Sequence, residues 1–178
     1  MIAVLPDRWG SNNLAFLKIS ENEIREVRFY LNSQSINLWD GNEYNANQIE
    51  HWIRKGDLPP EGNKQNYRLF TVRRNSRNEI IGILSVYHGY PRSDSAYLVF
   101  LYISREQQGL GFGQEAVSQL CIELKKRGYK EIRANVAVRN WPAIRFWTKA
   151  GFNGISGIYG DKVHSDSTYA NLELFKLL

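Results

Sequence analysis

The chain is almost without cysteine: Cys121 is the only one in 178 residues. A single thiol excludes an internal disulfide framework and suits a reducing compartment, so a cytoplasmic location is expected. No apolar run approaches the roughly 20 residues of a membrane helix, which leaves no membrane partner to expect. The N-terminal "MIAVLPDRWG" meets Pro6, Asp7 and Arg8 too early for a signal-peptide core. Histidine is scarce as well, and His51 and His164 have no companions at metal-ligand spacing, so no metal is expected. Internal repeats, low-complexity tracts and linkers are also missing. The length then suits one domain, residues 1–178.

What is present is a basic surplus. Lys and Arg number 23 against 18 Asp and Glu, a formal charge of +5. The basic residues are scattered, with Arg73-Arg74 and Lys125-Lys126-Arg127 the densest clusters. No aromatic–basic interleaving or nucleic-acid motif accompanies them, so nucleic acid is not an expected partner. A small polyanion fits the charge equally well.

Periodicity predicts the elements. Leu14–Ser20 reads as a strand, and "SENE" (Ser20–Glu23) as a capping box opening a helix to about Asn32. Asn45–Gly56 reads as a second helix, followed by a polar loop stiffened by Pro59 and Pro60. Strands are expected at Asn66–Arg74, Glu79–Tyr87 and Ala96–Ser104; the last two are apolar enough to be central. A helix to about Arg127 carries Val117, Leu120, Cys121 and Leu124 on one face. A strand at Gly128–Val138, a short helix at Asn140–Phe152 and strands at Gly154–Tyr159 and Thr168–Leu177 complete the chain. The order β-α-α-β-β-β-α-β-α-β-β predicts an α/β fold, a mixed sheet flanked by helices.

Between the strand Ala96–Ser104 and the helix after it lies "REQQGLGFGQEAV", with glycines at 109, 111 and 113. Glycine in or beside a helix costs up to about 1 kcal/mol relative to alanine. Strand, glycine-rich loop and helix start together present backbone N–H groups to an anion. A Walker loop is excluded, because Gln114-Glu115 stand where Lys-Ser or Lys-Thr would be needed. A dinucleotide fingerprint is also a poor match, since the spacing is G-x-G-x-G. Gln/Arg-x-x-Gly-x-Gly/Ala fits Gln108 to Gly113 at every fixed position.

With "YISREQQGLGFGQEAV" and, further on, "VAVRNWPAIRFWTKAGF", the chain resembles the GNAT superfamily of acetyl-CoA-dependent N-acetyltransferases. The resemblance implies acetyl-CoA as acyl donor and a small-molecule or peptide amine as acceptor. It places the backbone of Leu101, Tyr102 and Ile103 along the pantetheine arm. Backbone N–H groups from Gln108, Gly109, Leu110, Gly111, Phe112 and Gly113 would cradle the pyrophosphate. Asn140 would reach the cofactor from the neighbouring strand's end, and the strands near Tyr102 and Val136 would splay apart. A homodimer stays open. A catalytically weak acyl-CoA-binding or regulatory module of the same fold is the alternative.

Two departures bear on catalysis. The family often places a tyrosine acid where Trp147 stands here, so Trp147 is expected to pack against cofactor or core. The family's strand glutamate has no counterpart in "AYLVFLYIS". Proton handling is therefore assigned to His88 or Tyr102, with Tyr97 and Asp40 as further candidates. Tyr97 and Tyr102 fall on opposite faces unless a bulge intervenes. Cys121 is expected in the core. Ile36–Trp52 and Lys55–Asn63 would shape the acceptor side, with Trp39, Tyr44 and Trp52 beside Asp40, Glu43, Glu50, Asp57 and Glu61.

Overall fold

The computed structural model describes residues 2–39, 41, 43–163 and 165–178, so Asp40 and His164 lie outside the described residues. The elements run β1 (Arg8–Gly10), β2 (Leu14–Lys18), α1 (Ile24–Asn32), α2 (Gln48–Arg54), β3 (Tyr67–Arg74), β4 (Glu79–His88) and β5 (Ser95–Ile103). They continue with α3 (Phe112–Lys126), β6 (Glu131–Ala137), α4 (Trp141–Lys149), β7 (Gly154–Gly160) and β8 (Ala170–Leu177). The strands form one sheet of eight in the order β1-β2-β3-β4-β5-β6-β8-β7. Among the described residues only β5 and β6 pair in parallel, which makes the sheet mixed, as the element order predicts.

β1 is an addition to the expected order. The turn "SNN" folds it onto β2, where Trp9 stacks on Phe16 with ring centroids 3.8 Å apart. α2 is shorter than expected, beginning at Gln48 and ending at Arg54. The Glu23 carboxylate does reach back to the Ser20 N–H (2.8 Å), on a short 3₁₀ turn ahead of α1.

Helices cover both faces of the sheet, giving two apolar cores. On one face, α3 and α4 meet β4, β5 and β6 through Leu84, Leu98, Leu120, Leu124, Ile132 and Trp147. The expected apolar face of α3 is buried, Cys121 included. Truncating Leu120 or Leu124 there would cost about 2–5 kcal/mol. On the other face, α1 and α2 bring Val27, Leu31, Ile49 and Trp52 onto Leu69, Ile83 and Tyr87.

Candidate active site

A break in the sheet makes the site. β5 pairs with β4 over nearly its whole length, but with β6 only from Ser95–Leu98 against Glu131–Ala134. At the same level β5 bulges: Val86 faces Leu98 while Ser85 faces Phe100, leaving Val99 extra. A bulge bends its strand and adds twist. Beyond it β5 and β6 part, and the β6-facing edge of Leu101–Ile103 has no ladder partner. The bulge also switches side-chain parity. Ala96, Leu98, Leu101 and Ile103 belong to the α3/α4 core, while Tyr97, Val99 and Phe100 pack on the α1/α2 side.

A cleft of about 810 Å³ occupies the gap, a size suited to a cofactor-sized ligand. Its walls are Phe100–Ile103 of β5, the loop residues Gln108, Gly109 and Gly111, and Asn140, Ala143, Phe146 and Trp147 of the α4 segment. Ser35, Ile36, Asn37 and Trp39, between α1 and α2, close the other end.

The three glycines have separate reasons. Gly109 (φ +76°) and Gly111 (φ +89°) are left-handed, a conformation that disfavours a Cβ although each has open space around it. Gly111 is the N-cap of α3 and supplies no side-chain cap, so the first N–H groups of that helix keep their anion-binding capacity. Gly113 lies inside the helix, where a Cβ would come 3.0 Å from Cε2 of Phe146; it permits α3 to approach α4. Gln108 anchors the loop by donating from Nε2 to the carbonyl of Ile103 (2.8 Å).

α4 brings the second wall. Asn140 caps it, its Oδ1 accepting from the Ala143 N–H (3.1 Å), with Pro142 in the first turn. Trp147 is buried edge-on against Phe146 and Phe152, with centroids 4.9 Å away in each case. Arg145 and Lys149, one turn apart, also line the cleft. They are the cleft's charged side chains among the described residues, and sequence reasoning did not single them out. Their i, i+4 spacing beside Asn140 was the available signal.

Tyr102 lines the cleft on the α1/α2 side, and its hydroxyl donates to Oε1 of Gln34 (3.2 Å). Burial, then the nearby Glu106, raises its pKa, so the phenol stays protonated. Tyr97 shares its face through the bulge, but its hydroxyl is committed to Glu173 of β8 (3.1 Å). Burial would raise the Glu173 pKa; hydrogen bonds from Ser156, Arg133 and Tyr97 outweigh it and hold the carboxylate ionised. Arg133 of β6 lies 2.7 Å from it. This group ties β5, β6 and β8 together at the level where the ladder ends. Sequence reasoning missed Glu173, the one charge inside "ANLELF".

His88 must be removed from the site. It pairs with Ala96 at the opposite end of β5, roughly 15 Å down the strand from Leu101. Its ring is buried, with Nδ1 2.8 Å from the Asn66 carbonyl and Nε2 accepting from the Leu5 N–H. Burial lowers its pKa to about 4. Nε2 already accepts a proton donor there, so the imidazole is a neutral structural group.

The acceptor side is also revised. Trp39 lines the cleft, whereas Trp52 is a core residue against Phe100. Glu50 is paired with Arg28 (2.7 Å) and Arg54 (3.1 Å). Glu43, Asp57 and Glu61 do not line the cleft. Among the described residues no group of three or more His, Cys, Asp or Glu side chains forms a metal-binding cluster. Among the described residues no helix is long and apolar enough to cross a membrane.

Against known proteins, the acetyltransferase (GNAT) family model matches residues 34–152. The chain belongs to the GNAT acetyltransferase family. A search of curated protein sequences finds no significant match. Among solved structures the fold is similar to a putative ribosomal-protein-serine acetyltransferase from Vibrio cholerae, with TM-score 0.74 and 16% identity, covering 99% of this chain and 100% of that one. It is similar to a probable GNAT acetyltransferase from Chromobacterium violaceum, with TM-score 0.77 and 11% identity over 99% and 89%. It is similar too to a dodecameric spermidine N-acetyltransferase from Vibrio cholerae, with TM-score 0.65 and 19% identity over 94% and 95%. At these identities the GNAT chain shares their fold, and its chemistry has to be argued from its own cleft.

Proposed function

We propose that this GNAT protein is an N-acetyltransferase that uses acetyl-CoA to acetylate a primary amine by direct attack. The observation that carries it is the parting of β5 and β6 beside the uncapped start of α3. An amide-bearing arm finds the edge of Leu101–Ile103 that has no ladder partner, and a pyrophosphate finds the N–H groups of Gln108–Gly113. Asn140 presents its amide from the far wall. The left-handed glycines fit such a group, because a Cβ at Gly109 or Gly111 would occupy open space at the loop. Arg145 and Lys149 add positive charge for a further phosphate, and the surplus of +5 favours approach of a polyanion.

The bound acetyl thioester supplies the electrophile. The amine nitrogen attacks its carbonyl carbon, the C–N bond forms and the C–S bond breaks. Backbone N–H groups near Leu101–Ile103 are the oxyanion donors. Tyr102, which retains its proton, gives it to the departing thiolate. A thiolate whose conjugate acid has pKa near 8.5 can leave unaided, so a donor contributes without being indispensable. No described lining residue is a carboxylate or imidazole. In this reading the amine attacks as the free base, so the rate follows the free-amine fraction. Trp147, standing where the family often has a tyrosine acid, favours the second reading, an acyl-CoA-binding module with weak catalysis.

The experiment is release of free CoA thiol across an amine and peptide panel, alongside thermal shift with acetyl-CoA. Stabilisation with time-dependent thiol release supports the transferase. Stabilisation without release supports the binding module, and no stabilisation by CoA compounds contradicts both. For assembly we propose a homodimer through β7: this outer strand has seven residues, no charge and no proline.

A further inference from the structure

By its own sequence α3 starts poorly. Gly111 gives it no side-chain cap, and Gly113 adds a second glycine to the first turn, where ordering glycine costs extra entropy. Resting on the acetyl-CoA reading, we propose that Glu115 is a positioning residue: the β1–β2 turn grips its carboxylate and keeps the first turn of α3 ordered for the donor's pyrophosphate.

Three donors converge on that carboxylate. Ser11 Oγ donates to Oε1 of Glu115 (2.6 Å), the Asn13 N–H donates to the same oxygen (3.0 Å), and Asn13 Nδ2 donates to Oε2 (3.0 Å). Burial would raise the Glu115 pKa; the hydrogen bonds from Ser11 and Asn13 outweigh it and keep the group ionised.

The turn is itself fixed. Ser11 Oγ accepts from the Leu14 N–H (3.1 Å). Asn75, in the β3–β4 turn, donates from Nδ2 to the carbonyls of Ser11 (3.2 Å) and Asn12 (3.0 Å). Its N–H donates to the Asn13 carbonyl (2.9 Å). Beside it, Arg74 places its guanidinium 5.4 Å from the ring centroid of Phe112, the first residue of α3.

The grip reaches the cleft within one turn of helix. The Glu115 N–H donates to the Gly111 carbonyl (3.0 Å), and Gly111, Gly113 and Gln114 of that turn all line the cleft. From the cleft side, Gln114 donates from Nε2 to the Phe146 carbonyl (3.1 Å). The first turn is therefore tied to β1–β2 outside and to α4 inside, while its leading N–H groups carry no side-chain cap. The three-residue strand β1 carries the turn that holds the donor helix.

Charge alone predicts the opposite effect. A carboxylate in the first turn repels a polyanion, so removing it would tighten donor binding. Losing the grip loosens the turn and weakens donor binding, so the sign of the change separates the two.

The test is calorimetric titration of acetyl-CoA and of S-acetylpantetheine, a donor without phosphates. The proteins are the wild type, Glu115→Ala, Glu115→Gln and the double variant Ser11→Ala with Asn13→Ala. Glu115→Ala and the double variant should each raise the acetyl-CoA Kd about fivefold or more. Their Kd for S-acetylpantetheine should match the wild type. Glu115→Gln still accepts from Ser11 and from the Asn13 N–H, so it should lose clearly less than Glu115→Ala. Unchanged or tighter acetyl-CoA binding in Glu115→Ala or the double variant overturns the inference. So does an equal loss with both donors, the mark of general destabilisation, or a Glu115→Gln loss as large as that of Glu115→Ala. If Glu115→Ala does not fold, the double variant, which keeps the carboxylate, decides by the same comparison of donors. Failure of the wild type to bind acetyl-CoA overturns the acetyl-CoA reading and this inference with it.

Discussion

Tyr102 and Trp147 face the same cleft, but only the phenol has a proton to give. Burial raises the Tyr102 pKa and Gln34 accepts its hydrogen bond, so the phenol stays protonated, as the proposed reaction requires of it. Tyr102→Phe should lower kcat by about tenfold or more with little change in the acetyl-CoA Kd; steady-state kinetics with calorimetric titration checks this. His88 acts on stability. Its folded pKa of about 4 lies below the ordinary 6.5. The unfolded chain therefore binds the proton more readily between these values. The His88 contribution is complete above about pH 6.5 and is lost as pH falls towards 4, up to about 3 kcal/mol. Denaturation from pH 7.5 to 4.5 should show that loss in the wild type and a shallower one in His88→Asn. The variant should be less stable at pH 7.5, with kcat/KM at pH 8 unchanged. The sequence could not separate these two candidates. "YHGYP" has the look of a turn, and nothing local shows that Leu5 and Asn66 will claim both ring nitrogens.

At the scale of elements, legibility followed periodicity. β4, β5, α3 and α4 were readable because long apolar patterns and caps specify them. β1 was missed because three residues carry no period, although "RWGSNNLAF" contains a turn between apolar residues. The bulge at Val99 was raised as a condition but could not be placed, since strand register depends on the partner strand. It decides the site: it puts Tyr97 and Tyr102 on one face and ends the β5–β6 ladder. The glycine loop was legible by pattern, but its division of labour was not; only contact with Phe146 distinguishes Gly113 from its neighbours. α4 supplies a test of donor binding. Arg145→Ala with Lys149→Ala should raise the KM for acetyl-CoA about tenfold while leaving that for the 3′-dephospho donor nearly unchanged. Equal losses with both donors would count against a phosphate contact.

Across the whole molecule, the two sheet edges differ. β1 is short and begins with Arg8, whereas β7 leaves Ile155 and Ile158 61% and 67% exposed along an uncharged edge. Long, uncharged edges are templates for pairing. Two copies of β7 paired antiparallel would oppose no like charges. Light scattering should report a dimer for the wild type and a monomer for Ile158→Lys; a monomeric wild type would rule out that assembly. The GNAT fold was legible from two motifs and their separation, while the acceptor side was not, because it is assembled from loops distant in sequence.

The central claim is that the left-handed glycine loop and the parted strands hold acetyl-CoA. Calorimetric titration of acetyl-CoA into the wild type and Gly111→Val tests it most directly. A Cβ at φ +89° is strained, and a branched side chain also obstructs the start of α3. The wild type should bind stoichiometrically, and the variant should bind at least about tenfold more weakly. Equal affinities in two folded proteins, or no binding by the wild type, would contradict it.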